Sequence, residues 1–297
     1  LASSTVYRDD AGSVALTTTS EYTFVPGTVT VASATVTPPI VSATQNGPGM
    51  ATPTTTYFDA LERPTWVKDA AGYLHYTEYD PGTGAVVKSI VDVDSTQTSD
   101  FVGLPSGWST PSGGGLHLRA TAEVDAFGRP TASTDPNGNI SYMVYLDAAR
   151  EVRAYAAWDA SAGRPTGPTI VSREDWTQQY SETLTMVAAP TLDGNGRPTG
   201  AEAIAQLRSL SRQHVNQAGQ PVQSDAYFNV TGMTYSTSKN LGSAGVNFDR
   251  TTMAYDDMGR VRKTTSPAGT ITRYTYDAPG RLHGVWVGTD DTPTSGF

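Results

Sequence analysis

Side chains of opposite character alternate over short runs along much of this chain. Tyr73, His75, Thr77 and Tyr79 fall on one side of an extended segment, and Leu74, Tyr76 and Glu78 on the other. Further on, Thr270, Thr272, Tyr274 and Tyr276 oppose Ile271, Arg273 and Thr275. A period of two over about six residues predicts β-strands. Both faces carry polar and aromatic groups, which predicts a wide, curving single sheet wetted on both sides rather than a dry sandwich. Val25–Val36, Thr169–Trp176 and Thr183–Ala189 also read as strands. Only Ala201–Leu207 has helical character, so one short helix is expected near 201–207. Ser95–Gly115, rich in Ser, Thr, Gly and Pro, reads as a long loop or insertion, and Ser42–Thr56 as a second soft stretch. No charged residue lies between Glu21 and Asp59, so that region is expected to be buried against neighbours or to form a sticky edge.

The strands recur in a fixed unit. Residues 57–80, 123–147 and 255–277 align on a leading acidic turn, and a new unit opens at Tyr79-Asp80, Leu146-Asp147 and Tyr276-Asp277. A second turn starts ten residues after each leading aspartate, at Asp69, Asp135 and Ser266. The unit is therefore turn, strand, turn, strand. Weaker copies occupy Leu192–Pro198 and Val215–Pro221, and Asp277–Leu282 opens a last one. The domain reading is a Thr/Val-rich β segment over 1–54, followed by a repeat region over 55–297 with the insertion near 95–115.

The box Asp-x-x-Gly-Arg has the chemistry of a hairpin connection. Asp at the first position can accept the N–H two residues on, and Gly supplies the positive φ of a type I turn followed by a bulge. The expected turn residues are Asp59 and Arg63; Asp125, Gly128 and Arg129; Asp193, Gly196 and Arg197; Tyr255, Asp256, Gly259 and Arg260; and Tyr276, Asp277, Gly280 and Arg281. Glu62 stands where Gly is expected, so that turn must strain or change type. Gly128→Ala and Gly259→Ala are expected to destabilise by about 1 kcal/mol, and Gly114→Ala to be tolerated in a flexible loop. The tyrosine before the aspartate should lie on the neighbouring strand with its hydroxyl at the rim. Each arginine should pair with a carboxylate or carbonyl of the adjacent turn and stack on a tyrosine. A ligand-binding row of arginines is the alternative, but repetition in one register favours the structural role.

Composition agrees with this picture and narrows the function. The chain has 297 residues, 29 Gly and 19 Pro, which suits many short strands and tight turns. Its net charge of −9 disfavours nucleic acid. There is no cysteine, hence no disulfide, thiolate metal site or thiol nucleophile. No stretch approaches the ~20 apolar residues that span a bilayer, and the N-terminus lacks a signal-peptide pattern. With no capping element recognisable at either end, a piece of a longer protein is expected. Its last edge should be covered by Tyr22–Phe58 or by another copy.

The boxes Tyr255-Asp256…Gly259-Arg260-Val261 and Tyr276-Asp277…Gly280-Arg281-Leu282, with a glycine turn between them, resemble the YD repeats of the RHS family. That family includes bacterial polymorphic-toxin shells, toxin-complex cocoon proteins, wall-associated proteins and animal teneurins. The resemblance covers roughly 55–90 and 120–297. It implies an all-β fold of antiparallel hairpins joined into a curved or spiralling shell-like sheet. It further implies a bacterial secreted or cell-surface location, with the remainder of a longer repeat protein or an enclosed cargo as partner. The paired aspartates of the self-cleaving toxin shells are not found here, so autoproteolysis is not inferred.

A search for catalytic chemistry yields little. His75, His117, His214 and His283 show no metal-pair spacing, and His75 and His214 are expected to be satisfied strand histidines. Glycosidases need two carboxylates across a cleft, and Glu174, Asp175 and Glu182 are the candidates. Asp92-Val93-Asp94 and the Asp193–Gly196 turn are weak metal motifs. No cofactor is implied. Three readings follow: a non-catalytic wall, stalk or cargo shell; a glycan-binding adhesin module using Trp66, Trp108, Trp158, Trp176 and Trp286; and a carboxylate-pair glycoside hydrolase. A coplanar exposed tryptophan row would favour the second, and two carboxylates converging in one pocket the third.

Overall fold

The computed structural model describes residues 2–7, 15–239 and 241–291. Residues 1, 8–14, 240 and 292–297 of the two regions expected from sequence lie outside it. The chain divides into two compact units, Leu1–Asn139 and Ile140–Phe297. Among the described residues the first unit holds nine strands: β1 (Ala2–Tyr7), β2 (Ala15–Phe24), β3 (Val31–Thr37), β4 (Thr54–Phe58), β5 (Pro64–Lys68), β6 (Leu74–Tyr79), β7 (Val86–Val91), β8 (Leu118–Val124) and β9 (Pro130–Thr134). Each pairs antiparallel with the next. The second unit continues with β10 (Ile140–Leu146), β11 (Glu151–Tyr155), β12 (Trp158–Asp159), β13 (Arg164–Pro165), β14 (Thr169–Asp175), β15 (Tyr180–Met186), β16 (Leu207–Val215), β17 (Pro221–Tyr227), β18 (Phe248–Tyr255), β19 (Val261–Thr265), β20 (Ile271–Tyr276) and β21 (Leu282–Gly288). Here β11 pairs with β14, and β12 and β13 form a separate two-stranded ribbon. The remaining strands again pair in chain order. The protein is all-β and built of antiparallel hairpins.

The charge-free stretch is part of the first unit's ladder. β3 is paired on one side by β2 and on the other by β4. Its threonines and serines satisfy one another across strands, as in Thr23–Ser33 at 2.6 Å and Thr35–Thr55 at 3.0 Å.

The expectation of water on both faces needs correction. In register across β5, β6 and β7 stand Trp66, Tyr76 and Ile90, an apolar row that cannot stay wet without cost. The irregular segment between β7 and β8 lies over it and contributes Val93 and Phe101 to a buried cluster, with Trp108 packed alongside. The segment is tied down at both ends. Asp92 accepts from the N–H groups of Gly115 and Leu116 at 2.8 and 2.9 Å, and Asp100 meets Arg119 at 2.8 Å. A Cβ on Gly114 would stand 2.8 Å from Asp92 Oδ1 and 3.1 Å from Tyr73 Cδ1, so this glycine is a packing requirement and not a loose loop residue.

The second unit repeats the device. Val171, Leu184 and Leu210 meet in register and are buried under residues from two irregular segments, Ile204 from one and Val230, Met233, Tyr235 and Leu241 from the other. No helix forms at 201–207. Seven residues of good helix propensity do not nucleate a helix alone, and tertiary anchors hold them irregular. The Glu202 carboxylate accepts from Arg153, Tyr155 and the Thr191 N–H at 2.9, 2.6 and 2.8 Å. The helical pieces among the described residues are two 3-10 turns, Ala43–Gln45 and Asp147–Ala149.

Candidate functional site

The recurring boxes close by one local hydrogen-bond scheme. In the turn joining β18 to β19, Asp256 Oδ1 accepts the N–H groups of Met258 and Arg260 at 3.0 and 2.9 Å, while Oδ2 accepts Arg260 Nε at 2.8 Å. Arg260, through its side chain and then its main chain, holds the Asp256 carboxyl below the ordinary carboxylate range. Asp59 with Arg63 and Asp125 with Arg129 do the same, each with Nε–Oδ2 at 2.7 Å. Asp277 with Arg281 matches at 2.8 Å. Asn216 and Gln220 make a neutral copy between β16 and β17. Asp193 and Arg197 close the same turn, but only a single bridge, Leu192 to Pro198, flanks it, and no hairpin strands form there. Arg63, Arg129, Arg260 and Arg281, for which a partner was expected on the adjacent turn, thus pair with the carboxylate of their own.

What reaches the adjacent turn is the guanidinium face and the tyrosine hydroxyl. Arg63 lies 4.4 Å over the Tyr79 ring, whose hydroxyl donates to the Pro64 carbonyl at 2.9 Å. Arg260 lies 4.4 Å over Tyr276, whose hydroxyl donates to the Val261 carbonyl at 2.8 Å. Tyr255 donates to the Pro221 carbonyl at 2.7 Å, and Gln220 Nε2 to the Gly259 carbonyl at 2.8 Å. A Cβ on Gly259 would stand 3.0 Å from Gln220 Nε2. Gly259 has φ +78°, and Glu62 carries a comparable φ of +60° with a full side chain. Gly259→Ala is expected to lose about 1 kcal/mol, and Gly114→Ala about 1–3 kcal/mol by overpacking. Glu62→Gly should gain about 0.5–1 kcal/mol. Urea denaturation of the three variants checks this, and an unchanged midpoint for Glu62→Gly would show that the left-handed residue is not strained.

A second constellation was not anticipated. Across six successive strands of the second unit, one register position alternates in charge: Glu151 faces Arg173, Arg173 faces Glu182, Glu182 faces Arg212, Arg212 faces Asp225, and Asp225 faces Arg250. Arg212 Nε donates to Glu182 at 2.7 Å, and Arg250 grips Asp225 with Nε at 2.8 Å and Nη2 at 2.9 Å. The hydrogen bond to Asp225 lifts the Arg250 guanidinium above its usual value. Residues 228–239 and 241–247 cover this row. Arg212 donates to the Ser236 and Ser238 carbonyls, each at 2.6 Å, and Tyr180 donates to the Thr237 carbonyl at 3.0 Å. Tyr235 donates to Glu182, and burial followed by that carboxylate pushes its phenol up.

The three carboxylates singled out from sequence do not converge. Glu182 is sealed in this row with a fully buried side chain. Asp175 shares its face, 3.6 Å from Arg173. Glu174 points to the opposite, exposed face and accepts from Trp176 Nε1 at 2.9 Å. Asp92 and Asp94 are each engaged by neighbouring backbone N–H groups. A cavity of about 520 Å³ between Arg164–Thr169 and Met186–Pro190 has Asp159 in its wall, but that carboxylate already accepts from Ser161. The tryptophans form no exposed row: Trp66 and Trp158 are buried, Trp108 packs on the first core, Trp286 is half-buried and Trp176 is 66% exposed. His214 departs from the expectation of a satisfied strand histidine. It is 1% exposed, and neither ring nitrogen has a hydrogen-bond partner.

The RHS Repeat family model matches residues 250–290, the stretch that holds the two boxes opened by Tyr255-Asp256 and Tyr276-Asp277. Residues 250–290 are an RHS repeat by this match. Outside that stretch, the Asp59 and Asp125 turns close by the same hydrogen bonds as the Asp256 turn. No curated protein matches the chain in sequence. Among solved structures it is similar to two TcdB2-TccC3 complexes, one with Cdc42 and one labelled TEV. TM-scores are 0.40 and 0.37, both at 16% identity, over 94% and 92% of this chain. A mutant Tc holotoxin pore from Photorhabdus luminescens gives a TM-score of 0.24 at 12% identity over 92% of the chain. This chain spans 15%, 14% and 19% of those chains.

Proposed function

We propose that this chain is a non-catalytic structural segment, a wall, stalk or cargo shell, of a large secreted or cell-surface RHS-repeat protein. The observation that carries the reading is the turn-to-turn interlock. In the Asp59–Arg63 and Asp256–Arg260 turns the repeated residues are engaged in closing one hairpin and holding the next: aspartate to its own arginine, arginine to the next tyrosine, tyrosine to the preceding carbonyl. Side chains so engaged serve the sheet first, and a repeat whose recurring chemistry faces its own neighbour serves to propagate that sheet. The partners in this reading are the rest of the repeat protein and whatever it encloses. Structural residues Asp59, Arg63, Asp125, Gly128, Arg129, Asp256, Gly259, Arg260, Tyr276 and Asp277 are the bonds of that wall.

The purified chain is accordingly expected to show no turnover on a broad panel of glycoside and ester substrates and no retention on a glycan array. Hydrolysis that disappears in Glu174→Gln or Glu182→Gln would replace this reading with the hydrolase one. Saturable glycan binding lost in Trp176→Ala would replace it with the adhesin one.

A further inference from the structure

His214 sits on β16 beneath residues 228–239, and its surroundings come from every side. Tyr180 on β15 packs against the imidazole with ring centroids 5.7 Å apart. On its own strand Arg212 is two residues away on the same face. On β17 Asp225 Oδ2 is 3.6 Å from Nε2, beyond hydrogen-bonding reach. That oxygen already accepts Arg250 Nη2 from β18 and Gln223 Nε2, each at 2.9 Å. From the cover, Lys239 adds a further positive field. The imidazole is therefore a buried neutral ring among three cations, with one carboxylate whose lone pairs are occupied.

We propose that residues 228–239, with 241–247, form a proton-released cover: uptake of one proton by His214 detaches it from the charged row beneath. The strands on either side of His214 are fixed by ladder hydrogen bonds along their length. The cover is held on this row by side-chain bonds instead, from Arg212, Tyr180 and Tyr235, by Tyr227 to the Leu241 carbonyl at 2.7 Å, and by the apolar contacts of Val230, Met233 and Leu241. It is the element that can lift without breaking the sheet. Lifting removes Lys239 and lets water solvate the imidazolium.

The direction follows from the environment. Burial holds the His214 imidazole below its ordinary 6.5 in the closed form. The closed form refuses a proton that the open form accepts. Closure is thus fully favoured above the ordinary value and is lost progressively as pH falls beneath it. Each unit of depression corresponds to about a tenfold change in the closed-to-open ratio. The effect concerns the second unit alone and does not depend on the wall reading.

The test is hydrogen exchange of the full chain at about pH 7.5 and about pH 5, a window in which histidine titrates and ordinary carboxylates stay charged. After correction for intrinsic rates, peptides from 228–239 should exchange faster at the lower pH, with peptides from β18 unchanged. In His214→Phe the rise should vanish. A flat wild-type profile, or an equal rise in His214→Phe, overturns the proposal. Should that variant not fold, the wild-type imidazole titration by NMR decides: a His214 that takes its proton at or above the ordinary value overturns it, and one well below supports it.

Discussion

Arg212→Met is expected to destabilise the second unit by about 3–5 kcal/mol, because it strands a buried carboxylate. Arg212 is 1% exposed, and its guanidinium is fully engaged: Nε on Glu182, Nη1 and Nη2 on two carbonyls of the cover. It also lies 4.6 Å over the Tyr180 ring. Methionine keeps much of the volume and removes the charge. Glu182 would then retain the Tyr235 hydroxyl, with Arg173 no nearer than 3.7 Å. Arg281→Met supplies the contrast. Its carboxylate partner is also close, at 2.8 Å, but the arginine side chain is 79% exposed, so the change should stay within about 1 kcal/mol. Combining Arg212→Met with Glu182→Gln should recover part of the loss, since the second change removes the stranded charge. Urea melts of the four proteins test this. A loss below about 1 kcal/mol for Arg212→Met would mean that water reaches the pair.

The contrast between these two arginines marks how far the sequence could be read. Arg281 belongs to a box whose hydrogen bonds span four residues, and such bonds follow from spacing alone: an acceptor at the first position, a positive φ at the fourth, a donor at the fifth. Hairpins, the position of Glu62 and the turn tyrosines were legible for that reason. Arg212, Glu182 and Asp225 meet only because β15, β16 and β17 fall into one register, with a long irregular segment separating β15 from β16. A trace of them exists in the pattern. Each charged residue stands two places from an apolar one on the inward face, as in Val171 before Arg173, Glu182 before Leu184 and Leu210 before Arg212. A lone charge in an inward row is a sign of a buried ion pair. The cover segments left no such trace. Their composition is that of loops, and what orders them is contact with a distant strand. Ala201–Leu207 shows the opposite error, since local helix propensity was read correctly and Glu202, gripped by Arg153 and Tyr155, overrode it.

Trp66→Ala is expected to lose about 3–5 kcal/mol in the first unit, and Trp176→Ala about 0.5 kcal/mol or less. Trp66 is 2% exposed at the centre of the row that the Asp92–His117 segment covers. Its ring lies 4.8 Å from Tyr76 and 5.2 Å from Phe101, and Nε1 donates to the Val102 carbonyl at 3.0 Å. Truncation removes the transfer energy of an indole and leaves a void walled by Leu74, Ile90 and Phe101, which the flanking strand pairs prevent from collapsing. It also frees the carbonyl that fixes the cover at its midpoint, so protease cleavage between Phe101 and Trp108 should accelerate before global unfolding. Trp176 makes the same kinds of contact, an indole N–H on Glu174 and a guanidinium from Arg150 at 3.6 Å, but does so in water. If the 95–115 segment were a loose insertion, as its composition suggests, the two tryptophan variants would differ little and the cleavage rate would not respond to Trp66. A large difference in melting, joined to faster cleavage in Trp66→Ala alone, is the result that the packing of Phe101 and Trp108 over β5 and β6 requires.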